Sequence, residues 1–248
     1  MSARYLSAEG PICICPKPKN AKDLDFSLGR SVVRALVLLS GGIDSTTALY
    51  LTKQQTDDIY SMNMIYAQSY DSEAEASKKI ASAAHVREHL SVFLPFFKDI
   101  EKRYKQTQSS KTSSAYIPAR NIVFYGVAAA YAETLKVNKI VFGSNADDAK
   151  ELPDARPMFI QLMNELIRDG TRAGSEGFVI EAVNPLINYN KKEVLKLAIE
   201  LKVPLQLTWS CYEDSEIPCG KCRGCNNRQA AFNYLGVPDP LLARCGKR

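Results

Sequence analysis

A chain of 248 residues, 46% hydrophobic and 24% charged, has the size and composition of one α/β domain with an appendage. A net charge of +5 favours small anionic ligands but is too mild to indicate nucleic acid. No apolar run approaches the ~20 residues that span a bilayer, and residues 1–20 lack the apolar core of a signal peptide, so the expected location is cytoplasmic.

Residues 1–33 read as an N-terminal arm. Pro11, Pro16 and Pro18, among Lys17, Lys19 and Lys22, argue against a long helix. Cys13 and Cys15 read either as half a metal site or, more simply, as small apolar residues packing on the domain. Residues 34–205 alternate strand and helix patterns. Strands are predicted over 35–39, 59–66, 91–94, 139–144 and 178–183; helices follow over 72–89, 122–136, 158–168 and 191–201. The helix 122–136 is apolar almost all round and is expected to be buried. The polar run 99–114 reads as a mobile surface segment, and 145–157 as an acid-rich loop. His85 and His89, four apart on the expected helix, read as its solvated end rather than as a metal pair. This alternation implies parallel βαβ units with right-handed crossovers and helices on both faces of a Rossmann-like sheet.

The centre of the chain is Ser40-Gly41-Gly42-Ile43-Asp44-Ser45-Thr46, directly after the first strand. Two glycines permit a tight turn and close approach of backbone to a ligand. Asp44 and Ser45 stand where a helix N-cap is expected. A strand, a glycine turn and a helix N-terminus make an anion site. The loop lacks the lysine of a Walker A motif and the third glycine of the dinucleotide fingerprint. Two further groups fall at carboxyl ends of strands or at helix starts. Arg120 and Asn121, in Pro118-Ala119-Arg120-Asn121, suit phosphate or carboxylate contact or simple capping. Asp147 and Asp148, with Pro153-Asp154-Ala155-Arg156, suit Mg²⁺, the N–H edge of a purine-like ring, or plain solvation.

Residues 206–248 carry Cys211, Cys219, Cys222 and Cys225 at spacing C-x7-C-x2-C-x2-C. Four thiolates in this spacing match a closed tetrahedral zinc site of structural type, ahead of an iron–sulfur cluster or free thiols. Lys221, Arg223 and Arg228 are placed to offset the negative charge of such a centre, and 228–234 reads as a closing helix.

The loop Ser40–Thr46 resembles the pyrophosphatase loop of ATP pyrophosphatases. That resemblance implies hydroxyls of Ser40, Ser45 and Thr46 on the pyrophosphate and Asp44 on Mg²⁺. With Gln68 and Glu73, Pro118, Arg120 and Asn121, Asp148, Asp154 and Arg156, Pro185-Leu186 with Lys191 and Glu193, and Trp209-Ser210-Cys211-Tyr212 through Cys225, the stretch 34–235 resembles the 7-cyano-7-deazaguanine synthase family. The resemblance implies an ATP-dependent carbon–nitrogen ligase. The carboxylate of 7-carboxy-7-deazaguanine is adenylated, ammonia gives the amide, and a second activation leaves the nitrile used for queuosine. It implies ATP, Mg²⁺ and Zn²⁺, and a homodimer. Asp44, Ser45 and Arg120 would be catalytic. Ser40, Gly41, Gly42, Thr46 and Asn121 would join them on the nucleotide, and Gln68, Asp148, Asp154 and Arg156 would meet the deazaguanine. The four cysteines would hold zinc.

The chain departs from the family pattern at Ala67-Gln68-Ser69-Tyr70, where Gly-Gln-Arg-His is usual, at Ala146, and in the arm. These departures keep an alternative open: a divergent ligase that stops at the amide or couples the acyl group to another amine, even on a protein in antiviral defence. A tRNA-modifying ATP pyrophosphatase and a non-catalytic nucleotide-binding scaffold are the remaining readings.

Overall fold

A computed structural model describes residues 33–66, 71–107, 116–213 and 215–246. Nearly all of the arm, with Cys13 and Cys15, and the segment holding Gln68, Ser69 and Tyr70 lie outside the described residues.

Five strands form one sheet: β1 (Ala35–Leu38), β2 (Ile59–Ile65), β3 (Glu88–Phe93), β4 (Lys139–Val141) and β5 (Glu181–Val183). Their order is β3-β2-β1-β4-β5 and every pairing is parallel. The order reverses between β1 and β4, which opens a crevice at their carboxyl ends. The helices are α1 (Ile43–Lys53), α2 (Asp71–Ala83), α3 (Phe97–Thr107), α4 (Arg120–Leu135), α5 (Ala146–Glu151), α6 (Pro157–Gly170), α7 (Arg172–Ser175), α8 (Lys191–Glu200), α9 (Arg223–Leu235) and α10 (Pro240–Arg244).

Alternate residues of β1 enter two cores, as the pleat requires. Leu36 packs with Tyr125 and Ala128 of α4 and Met163 of α6. Ala35 and Val37 pack with Leu49 of α1, Ile80 of α2 and Val194 of α8 on the other face. The outer side of α8 carries Leu195 and Ala198 against Ala231 and Phe232 of α9, which joins the cysteine-rich region to the sheet domain. No helix among the described residues is long and apolar enough to cross a membrane.

The structure corrects several local expectations. α2 ends at Ala83, and His89 lies on β3, where its Nδ1 meets Ser61 Oγ at 2.8 Å and its Nε2 meets Ser77 Oγ at 3.3 Å. Parallel pairing of Glu88–Phe93 with β2 overrides the alanine-rich period that suggested a longer helix. The part of 99–114 that is described is helix α3. Buried Phe97 anchors it against the rings of Tyr66 and Phe124, and Asp99–Arg103 and Glu101–Lys105 pair one turn apart. α4 covers only one sheet face, so Ile122 stays 49% exposed. The acid-rich loop contains α5, started by a capping box between Asn145 and Asp148. α1 begins at Ile43 with Gly42 at its N-cap, which moves Asp44 and Ser45 into the first turn. Only Glu181–Val183 of the expected last strand pairs with the three-residue β4.

Candidate active site and metal centre

The glycine loop is held from three sides. Gly41 has φ +91°, and a Cβ there would lie 2.8 Å from the Glu73 carbonyl oxygen and 2.9 Å from the Ser77 nitrogen, so α2 docks directly on the turn. Trp209 N–H donates to the Gly41 carbonyl at 2.8 Å. A Cβ at Gly143 would come within 2.8 Å of Ser45 Cα, so the exit of β4 is pressed onto the first turn of α1. Within the loop, Ser40 Oγ and Ser45 Oγ are 3.0 Å apart, and Gly42 N–H donates to Ser40 Oγ at 3.3 Å.

The close approach at Gly143 brings Asn145 to Asp44. Asn145 Nδ2 donates to Asp44 Oδ2 at 3.0 Å, while its side-chain oxygen accepts from the Asp147 and Asp148 backbone N–H groups. Asn190 caps α8, which aims Lys191 at the same point. Lys191 Nζ lies 3.2 Å from Asp44 Oδ2 and 3.6 Å from Asp148 Oδ1. Burial pushes the Asp44 carboxyl above its ordinary value, and the Lys191 ammonium opposes that shift. Burial works against the charge of Lys191, yet Asp44 and Asp148 hold it above its ordinary value.

Arg120 opens α4 behind Ala119, whose φ is +55°. Its guanidinium lies 5.6 Å from the Tyr66 ring centroid and 5.9 Å from that of Phe124, and Nη1 donates to Tyr66 Oη at 3.4 Å. Among the described residues no carboxylate reaches ion-pair distance of it, which leaves the cation available to an incoming anion. Asn121 is fixed by Asp154: its backbone N–H donates to Asp154 Oδ2 at 3.3 Å and its Nδ2 to the Asp154 carbonyl at 3.0 Å.

These groups surround a cleft of about 530 Å³, within the range of small-molecule sites. Of the residues expected at the site, Ser40, Asp44, Arg120, Asn121 and Asp148 line it. Gly42 lines a hollow of about 190 Å³ that continues from it past Asp44, Glu73, Lys191 and Tyr212. Ser45 and Thr46 are buried behind the loop, and the Thr46 hydroxyl donates to the Gly42 carbonyl at 2.6 Å instead of facing the cleft. Asp154 is buried against α4, with Oδ1 lacking a partner among the described residues. Arg156 is exposed at the start of α6, with Nε donating to the Ala149 carbonyl at 3.4 Å, and does not line the cleft. Gln68 lies outside the described residues. The sequence reading assigned no role to Glu73, Lys191, Tyr66 and Tyr212, which the fold brings to the same cleft. Glu73, Lys191 and Tyr212 stand in the quoted motifs, and Tyr66 does not. Only the helix caps and the switch point show where they aim.

The four cysteines converge, with all Sγ atoms within 4.8 Å of one another. Cys219–Cys225 and Cys222–Cys211 are 3.9 and 4.0 Å apart, close to the about 3.8 Å edge of a tetrahedron with metal–sulfur bonds of ~2.3 Å. Backbone N–H groups of Tyr212, Glu213, Cys219, Cys222 and Cys225 donate to the sulfurs at 3.3–3.4 Å, which favours thiolates. The donor set fits a tetrahedral ion. Arg228 does not serve as its counter-charge. The guanidinium is buried and committed to Asp239, Thr208 and the Leu205 carbonyl. Arg223 pairs with Glu151.

Comparison with known proteins identifies the family. A family model described as "Queuosine biosynthesis protein QueC" matches residues 34–236. The chain is 39% identical over 224 residues to the 7-cyano-7-deazaguanine synthase of Acaryochloris marina (strain MBIC 11017), covering 84% of this chain and 98% of that protein. It is 40% identical over 225 residues to the protein of that name from Thermosynechococcus vestitus (strain NIES-2133 / IAM M-273 / BP-1), covering 84% and 94%. The Oceanobacillus iheyensis protein of that name is 39% identical over 217 residues, with coverage of 84% and 97%. The stretch from the glycine loop through the cysteine cluster lies inside the matched region, and the chain belongs to the QueC family.

Proposed function

We propose that this chain uses ATP and ammonia to convert 7-carboxy-7-deazaguanine, through an acyl adenylate and an amide, into 7-cyano-7-deazaguanine. The observation that carries the reading is the match to QueC across 34–236, which includes both the glycine loop and the cysteine cluster. The cleft geometry supports it. The N-terminus of α1 and the free Arg120 cation offer two anion contacts on one cleft, with Ser40 between them and Lys191 beside Asp44. In this reading Ser40, Gly41, Gly42 and Arg120 receive the phosphates. Lys191 neutralises charge developing on pyrophosphate, and Asn121 holds the start of α4. Asp44, with water and phosphate oxygens, would hold Mg²⁺, which would shield the phosphates from the attacking carboxylate. Ser45 acts by orienting Ser40 through their hydroxyl contact. Asp148 is the expected contact to the deazaguanine N–H edge, and the family resemblance assigns Gln68 and Asp154 to the same ring.

Residues 34–205 form the nucleotide-binding unit in this reading, and 206–248 a zinc-binding C-terminal region. Cys211, Cys219, Cys222 and Cys225 fill the coordination of Zn²⁺ and leave no open position, so the metal serves structure and not the reaction. The protein otherwise works by holding carboxylate, phosphate and amine in contact and stabilising the charge that passes between them.

Mass spectrometry of one reaction tests the proposal. The protein is mixed with 7-carboxy-7-deazaguanine, ATP, Mg²⁺ and ammonium, and the nitrile is expected together with AMP and pyrophosphate. An amide that goes no further would replace the synthase by an amide-forming ligase. No consumption of ATP would remove the substrate assignment.

A further inference from the structure

Among the described residues four carboxylates line the cleft, and three are engaged. Asp44 and Asp148 face Lys191, and Glu101 pairs with Lys105. The Glu73 carboxylate has no hydrogen bond or ion pair among the described residues, while its backbone belongs to α2. Its position is nevertheless fixed: it sits in the first turn of α2, whose backbone at Glu73 and Ser77 is packed onto Gly41. Its half-buried side chain lines both the cleft and the smaller hollow, as do Asp44 and Lys191. The charged and titratable groups around it are Arg120 from α4, Tyr66 after β2 and Tyr212 from the cysteine-rich region, with Asp44 and Lys191 lining the same space.

We propose that Glu73 is the proton acceptor for the amine that attacks the activated acyl group, a role that rests on the functional reading above. The ammonia nitrogen bonds to the carbonyl carbon of the acyl adenylate. The bond from that carbon to the bridging phosphate oxygen breaks, AMP leaves with the electron pair, and one proton of the nitrogen passes to a Glu73 carboxylate oxygen. The amide and a protonated Glu73 remain, and solvent in the open cleft removes the proton. The environment suits this task, because burial raises the Glu73 carboxyl to about 7, with Arg120 opposing the shift. A base tuned near the working pH is the most effective one.

The test separates the two half-reactions. Exchange of labelled pyrophosphate into ATP, dependent on 7-carboxy-7-deazaguanine, reads adenylation without any amine. Amide formation from ammonium reads the second half. Glu73→Gln is expected to keep exchange within about threefold of wild type and to lower amide formation at least ~100-fold. Glu73→Asp should restore part of it. The acid limb of the wild-type pH profile for amide formation, with a midpoint near 7, should be absent in Glu73→Gln. Amide formation at the wild-type rate in Glu73→Gln would overturn the proposal, as would a parallel collapse of exchange. Absence of exchange in the wild type would instead overturn the functional reading, and the Glu73 assignment with it.

Discussion

Asp44 and Lys191 are 147 positions apart in the chain and meet at 3.2 Å on the floor of the cleft. The contact needs three separate local devices. Gly143 lets β4 press onto α1, the Asn145 cap orients α5, and the Asn190 cap starts α8 with its first side chain toward the loop. The ammonium stands between Asp44 and Asp148, which would otherwise face each other as like charges.

Replacing Lys191 with Met is therefore expected to lower substrate-dependent ATP–pyrophosphate exchange by at least ~100-fold while leaving circular dichroism unchanged. Asp44→Ala should abolish exchange with the fold equally intact, since Asp44 lies on the first turn of a helix whose core residues do not depend on it. Exchange at the wild-type rate in either variant would remove that residue from the nucleotide site.

The Arg228–Asp239 pair predicts a different outcome. Both side chains are almost fully buried, with two contacts of 2.6 and 2.8 Å, and Arg228 also donates to Thr208 and Leu205. Truncating one member leaves the other charged and desolvated. Asp239→Ala should cost about 3–5 kcal/mol in urea unfolding. A cost under ~1 kcal/mol would show that the guanidinium finds other partners.

How much of this was legible in the sequence follows from what each residue depends on. The loop Ser40–Thr46 and the cysteine cluster are local signals: Ser40 and Asp44 line the cleft, and the four sulfurs converge. The parallel sheet was legible because buried strands carry continuous apolar runs. His89 was misplaced because local periodicity cannot sense that β2 offers an edge for pairing. α3 is hard to read from composition because its apolar stripe is only Phe97, Ile100 and Tyr104 in an otherwise charged run, supported by ion pairs a turn apart. Thr46 and Arg156 show the limit at the site. Membership of a motif does not say which side chain turns inward, and the helix geometry sends the Thr46 hydroxyl to Gly42 and leaves Arg156 outside.

The cysteine centre gives a prediction about folding. Cys222 Sγ accepts from the backbone N–H groups of Tyr212 and Cys225, so the metal would order both sides of the turn. Cys222→Ser should reduce bound zinc, measured by elemental analysis, and lower the melting temperature, because metal binding and folding are linked. Chelation of the wild type should move it in the same direction. Metal-free wild type of full stability would exclude a structural ion.

Glu73 ties the chemistry to stability. Burial raises its carboxyl to about 7 in the folded protein, against ~4.3 for an unfolded glutamate. Below the unfolded value both states hold the proton and folding is unaffected. As pH rises from there toward 7, the unfolded chain has lost a proton that the folded one keeps, so the wild type loses stability across that window, and the loss levels off above it. Glu73→Gln never ionises. It should therefore match the wild type most closely near pH 4 and exceed it at pH 8 by about 1–3 kcal/mol in urea unfolding. A variant more stable than the wild type and unable to make the amide is the trade expected where a charge is kept in an unfavourable place for its reactivity. An equal difference at both pH values would show that the carboxyl does not titrate in this window and would remove the physical basis for its tuning.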